Sequence, residues 1–130
     1  MGIGADGLML LENDVQTDFK MVYYNADGNE STMCGNGGRC IVAFAKRLNL
    51  FSDKTSFMAI DGLHHATIDS SFNVDLQMKN VDTIENLDND FVLDTGSPHY
   101  VKFVKQFTNH FVEEARAIRN SERFIKEGIN

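Results

Sequence analysis

Hydrophobic and polar positions alternate most cleanly over Asp18–Asn25, where Phe19, Met21 and Tyr23 fall on one face and Lys20, Val22 and Tyr24 on the other. A period of two in an aromatic, β-branched run predicts a strand. Leu8–Glu12, a short apolar run after a glycine-rich start, predicts another. Thr55–Asp61, Leu63–Asp69, Phe72–Lys79 and Phe91–Thr95 add further strands, separated by Gly62, Ser70-Ser71 and Asn86–Asp90. Asp61-Gly62 has the composition of a tight hairpin turn and Ala26-Asp27-Gly28-Asn29 that of a second turn. Tyr100–Phe107 reads as one more strand, after the sole proline, Pro98.

Cys34–Leu50 is the one long helix the pattern predicts. It opens on Gly35, Asn36, Gly37 and Gly38 and closes on Lys46, Arg47 and Asn49. From Cys40 to Ala45 no residue is polar, so the helix is expected to be buried on every side. A shorter helix is expected over Phe111–Arg119, capped by Asn109. Its Glu113 and Glu114 lie early and its Arg116 and Arg119 late, as the helix dipole favours. With strands on both sides of the long helix, the expected fold class is α+β: an antiparallel-rich sheet or barrel wrapped around a central hydrophobic helix, in one domain over residues 1–130.

Composition narrows the function. A net charge of −7 and scattered Lys and Arg exclude a nucleic-acid surface that works by displacing counterions. No run approaches the roughly 18 apolar residues of a membrane span, and Met1–Leu11 lacks the basic start of a signal peptide. A cytoplasmic protein is expected, in which two cysteines are free thiols rather than a disulfide.

Chemistry concentrates in Asn25–Cys40, which reads as strand, turn, then a cysteine where a glycine-rich helix begins. A helix N-terminus carries unpaired N–H groups and partial positive charge, both of which favour a thiolate. Glycines leave those N–H groups open to a carboxylate. A base beside a carboxylate cradle is what a reaction at the α-carbon of an amino acid requires. On these grounds alone Cys34 is either a reactive thiol or a small buried hydrophobe. Cys40, in the apolar body of the helix, is expected to be inert packing. Six helical residues rise about 9 Å, more than a disulfide spans. His64 and His65, adjacent on a strand, point to opposite faces and do not suggest a metal site. Asp6, Asp27 and Asp61 each precede a glycine and read as turn-makers. Arg39 could bind a carboxylate or lie on the helix surface, and Asp82–Asp90 reads as a solvated acidic loop.

Tyr24-Asn25-Ala26-Asp27-Gly28 followed by Met33-Cys34-Gly35-Asn36-Gly37-Gly38-Arg39-Cys40 resembles the signature of diaminopimelate epimerases. Gly2-Ile3-Gly4-Ala5-Asp6-Gly7 is similar to that family's early glycine motif, and Thr95-Gly96-Ser97-Pro98-His99 to its Asn-Pro-His loop, with Ser97 in place of the Asn. Ser121-Glu122-Arg123-Phe124 and Gly128-Ile129-Asn130 agree more weakly. The resemblance implies interconversion of LL- and meso-diaminopimelate, in lysine and peptidoglycan precursor synthesis, by two cysteine bases with neither pyridoxal phosphate nor metal. Cys34 would be the first base. Gly35 and Asn36 would take the substrate carboxylate through backbone N–H groups, and Asn25, Ser97, Pro98, His99 and Asn130 would contact substrate.

The family also carries a leading strand before the Gly2 motif, and a second domain with the partner cysteine, which this sequence does not show. The chain is therefore expected to be the N-terminal half, truncated at both ends and inactive alone, with open sheet edges that favour a homodimer. Alternatives on the same fold are proline racemase-like or phenazine-biosynthesis-like isomerases. A non-catalytic carboxylate-binding module and, less in keeping with the cysteine spacing, a thiol redox protein are alternatives of other classes.

Overall fold

The computed structural model describes residues 4–130; Met1, Gly2 and Ile3, with the first two positions of the early glycine motif, lie outside the described residues. The chain divides into two compact units, residues 1–78 and 79–130.

The first unit contains strands β1 (Gly7–Glu12), β2 (Phe19–Asn25), β3 (Glu30–Ser31), β4 (Lys54–Ala59), β5 (Gly62–Ile68) and β6 (Val74–Leu76) and helix α1 (Gly35–Arg47). The sheet runs β1-β2-β4-β5-β6, with β3 paired to β2 beside Tyr23 and Tyr24. All pairs are antiparallel except β2–β4, a short parallel register of Phe19 with Phe57 and Lys20 with Met58. A parallel pair needs a long crossover, and α1 lies in it. The helix rests against β1 and β6, the two ends of the strand path, and against β5. A flat five-strand path would be about 19 Å wide, against about 10 Å for a helix, so the sheet curls around α1. The antiparallel-rich α+β fold expected from the pattern is present.

The core follows from alternation. On β4 Thr55, Phe57 and Ala59 point inward, and on β5 His64, Ala66 and Ile68 do. Phe57 is fully buried and stacks on Phe19, ring centroids 5.0 Å apart, and on His64 at 5.3 Å. From α1 come Ile41, Val42 and Ala45, with Met21 and Met33 closing the cluster.

The helix is not buried all round. Its buried stripe is Gly37, Gly38, Ile41, Val42 and Ala45, while Phe44 is 52% exposed and Cys40 is exposed. A curled sheet covers one side of a helix, and an unbroken apolar run says nothing about what covers the other. Cys40 is therefore not inert core packing. The helix ends at Arg47, and beyond the Leu48 C-cap Asn49 takes a left-handed φ of 57°, while the N–H groups of Asn49 and Leu50 return to Lys46 and Ala45.

The second unit holds β7 (Ile84–Leu87), β8 (Asp90–Asp94) and β9 (Pro98–Lys102) in an antiparallel sheet, followed by α2 (Phe111–Arg119). Several element expectations change here and at the preceding sheet edge. The stretch read as an acidic loop contains β7, whose residues pair in full register with β8. The strand expected over Tyr100–Phe107 begins earlier and stops at Lys102, and that expected over Phe72–Lys79 shortens to β6, because Phe72 sits at a left-handed φ of 64°. Helix α2 spans the expected residues, but His110, not Asn109, occupies its N-cap, and no side chain caps it. None of its residues is buried. No helix among the described residues is long and apolar enough to cross a membrane.

Two predictions follow from the packing. Phe57→Ala should cost about 3–5 kcal/mol by urea denaturation, because a fully buried ring between two others leaves a cavity. Asp14, Asp27 and Asp69 are held below the ordinary carboxylate value, chiefly by hydrogen bonds from the Thr17 hydroxyl, the Asn29 N–H and the Asn73 amide respectively. Depressed carboxylates stabilise the fold above their unfolded pKa and lose that contribution as pH falls through the folded value. The urea midpoint should therefore drop between about pH 5 and pH 2.

Candidate functional site

Cys34 is the N-cap of α1, with extended backbone at φ −95° and ψ 149°. Its Sγ accepts the N–H of Gly37 at 3.2 Å, and its carbonyl accepts that of Gly38 at 2.8 Å. The thiol is exposed. The sulfur thus fills the place an oxygen usually takes in a helix cap, at the positive end of the helix dipole.

The glycines after it divide into two kinds. A β-carbon on Gly37 would lie 3.1 Å from Cys34 Sγ and 3.2 Å from Met9 Sδ; one on Gly38 would lie 2.6 Å from Leu76 and 2.7 Å from Met33 Sδ. These two glycines let the first turn press against the sheet. Gly35 faces looser surroundings, with Arg39 and Met78 at 3.6 Å. Arg39 reaches back along α1 to donate to Asn36 Oδ1 at 2.7 Å, an exposed helix-surface contact. Cys34, Gly35 and Asn36 thus share one turn. Asn25 ends β2 exposed, its carbonyl accepting from Gly28 and its N–H donating to Asn29 within its own turn.

The residue before the thiol is fixed from two sides. Met33 is buried beneath Gly38, and its N–H points at Asp61 Oδ1 at 3.5 Å. The same oxygen accepts from His64 Nε2 at 3.2 Å, and both side chains are almost wholly buried, 10% and 6% exposed. A carboxylate only accepts, so Nε2 carries the hydrogen. Asp61 does more than make a turn. The sequence carried a faint sign of this pair: alternation along β5 places His64 inward and His65 outward, and a buried imidazole needs a partner.

Ser97, Pro98, His99 and Asn130 form a second group, within the second unit. Asn130 donates its backbone N–H to the Pro98 carbonyl at 3.0 Å and its side-chain amide to Ser97 Oγ at 3.2 Å, while its carbonyl takes the Tyr100 N–H. His99 Nδ1 donates to the Ser97 carbonyl at 2.8 Å, which leaves Nε2 as the ring's acceptor. Tyr100 donates to Asp90 at 2.5 Å, and that bond, with burial and the aspartate's charge, raises the phenol's pKa. A cleft of about 720 Å³ lies between β9 and α2, lined by Phe107, Phe111, Ile118 and Arg119 among others; of the expected substrate contacts Asn25, Ser97, Pro98, His99 and Asn130 it includes Asn130 alone. Among the described residues no group of His, Cys, Asp or Glu side chains could hold a metal ion.

A family profile described as diaminopimelate epimerase matches residues 1–84, the stretch that contains β1 to β6 and the capped thiol. The chain belongs to the diaminopimelate epimerase family. The diaminopimelate epimerase of Flavobacterium psychrophilum is 60% identical over 130 residues, which cover 99% of this chain and 51% of that protein. Those of Chlorobaculum tepidum and Aquifex aeolicus are 37% and 33% identical, each over 99% of this chain and 53% and 50% of their own length. The chain spans about half the length of these curated relatives.

Both thiols of this epimerase-family chain are exposed, so Cys40 serves as an internal control for Cys34. Iodoacetamide at neutral pH should alkylate Cys34 about tenfold faster than Cys40, read by peptide mass mapping, because only Cys34 sits at the helix cap.

Proposed function

We propose that this chain supplies one of the two acid/base thiols of an enzyme that interconverts LL- and meso-diaminopimelate, in the cytoplasm, for lysine and peptidoglycan precursor synthesis. The observation that carries the reading is the Cys34 sulfur: exposed, at the N-cap of α1, and accepting the Gly37 N–H at 3.2 Å. The named activity of the relatives, one of them 60% identical, supports the choice of substrate.

In the proposed reaction the Cys34 thiolate takes the α-proton and becomes a thiol. The electron pair left on the α-carbon spreads into the adjacent carboxylate, which the open N–H groups of Gly35 and Asn36 receive at the positive end of α1. A second thiol on the opposite face returns a proton and ends as a thiolate. Cys40 is not that second thiol. It stands about 9 Å further along the same helix and on another side of it. The second thiol is proposed to come from the remaining half of a polypeptide of its relatives' length, in keeping with a chain that spans about half of theirs. The proton transfers then need no pyridoxal phosphate and no metal. Asn25, Ser97, Pro98, His99 and Asn130 are proposed to contact the substrate.

The test is solvent deuterium incorporation at the α-carbon of LL-diaminopimelate in D2O, using this chain within a polypeptide of its relatives' length. Exchange is expected, and Cys34→Ala should lower it by about a thousandfold, the scale of a lost acid/base group. Absence of exchange with Cys34 in place overturns the proposal.

A further inference from the structure

The Phe19–Phe57–His64 stack runs out of the sheet core and ends on Asp61, whose Oδ1 meets the Met33 N–H one residue before Cys34. We propose that Asp61, held by His64, is a positioning residue for the Cys34 thiol. The inference rests on the reading of Cys34 as the acid/base group.

Three observations make the chain of contacts directional. His64 is 6% exposed and stacked on a ring with no exposure at all, so its imidazole has little room to move. Asp61, 10% exposed, is committed through a single oxygen to both the imidazole and the Met33 N–H, and so couples the rigid sheet to the loop after β3. Met33 is packed in place: its side chain is buried, and its thioether lies so close beneath Gly38 that a β-carbon there would stand 2.7 Å from the sulfur. With Met33 fixed at both N–H and side chain, the next residue is held in the extended conformation of an N-cap, and its Sγ is presented to Gly37. A cap without that anchor exchanges among rotamers and backbone states and holds the sulfur on the helix axis for less of the time. Asp61 therefore acts through Met33 and touches no reacting atom in this scheme.

The experiment uses the full 130-residue chain and the ratio of Cys34 to Cys40 alkylation rates, with hydrogen exchange of the Gly37 amide as the local signature. Asp61→Ala should lower the ratio about fivefold and speed Gly37 exchange by a similar factor, the scale of one lost hydrogen bond. Asp61→Asn keeps an acceptor without the charge and should hold the ratio within about twofold of the parent. General loosening of the fold would instead raise both alkylation rates and speed exchange of the Phe57 and Ala66 amides, and that outcome overturns a positioning role for Asp61. Should Asp61→Ala fail to fold, His64→Phe takes its place, keeping a ring against Phe57 but offering Asp61 no donor, with a fall of about threefold expected as the carboxylate loses its holder. An unchanged or increased ratio in a folded Asp61→Ala or His64→Phe chain overturns the inference, as does an Asn variant that behaves like the Ala one. A ratio near one in the parent chain would instead overturn the reading of Cys34 itself.

Discussion

The structure of the first unit depends on how closely the first turn of α1 approaches the sheet. Gly37 and Gly38 are buried where a β-carbon would come within 3.1 Å of the Cys34 sulfur and 2.6 Å of Leu76. Their lack of side chains sets the distance between helix and strands, and hence how far the sheet must curl to reach α1 from both β1 and β6. Glycine in a helix interior is costly, about 1 kcal/mol relative to alanine. Ile41, Val42 and Ala45 offset it further along, by burying the same stripe against Phe19, Met21 and Phe57. The arrangement leaves the first turn dependent on packing rather than on helix propensity, with its cap made by a sulfur in place of the usual oxygen.

That exchange of sulfur for oxygen separates two cysteines that look alike in the sequence. Both are exposed and both belong to the same helical segment. Cys34 meets an unpaired N–H group that the helix leaves at its start, whereas Cys40 lies where every backbone donor already serves the helix ladder. Their difference lies in the backbone around them more than in solvent access.

Much of this was legible in the sequence. Strict alternation made β2, β4 and β5 readable, and the glycine run after Cys34 marked where the helix starts. The charges of Glu113, Glu114, Arg116 and Arg119 outlined α2. The failures have distinct causes. Strand β7 was hidden because Ile84-Glu85-Asn86-Leu87 buries almost nothing and is defined by its ladder to β8, which a one-dimensional pattern does not record. Cys40 was misjudged because an apolar run gives composition without saying which neighbours cover it. The Asp61–His64 pair was half visible: the inward place of His64 could be read from β5, but the residue that satisfies it sits in the β4–β5 turn and reads first as a turn-maker.

Ser97 shows how a departure from a family pattern can leave local geometry standing. Its carbonyl, which any residue would supply, holds His99 Nδ1 at 2.8 Å and so decides which ring nitrogen carries the hydrogen. Its hydroxyl accepts the Asn130 amide at 3.2 Å, while the Pro98 carbonyl takes Asn130's backbone N–H at 3.0 Å. Two of these three contacts belong to the backbone of the loop. A change of side chain at position 97 therefore alters one hydrogen bond and leaves the orientation of the imidazole and the docking of Asn130 to the main chain. The same logic holds around Cys34, where the cap works through N–H groups and Met33 is tied through its own. In both units, backbone groups set the placement of the reactive-type side chains, and the side chains around them are freer to vary than the turns they occupy.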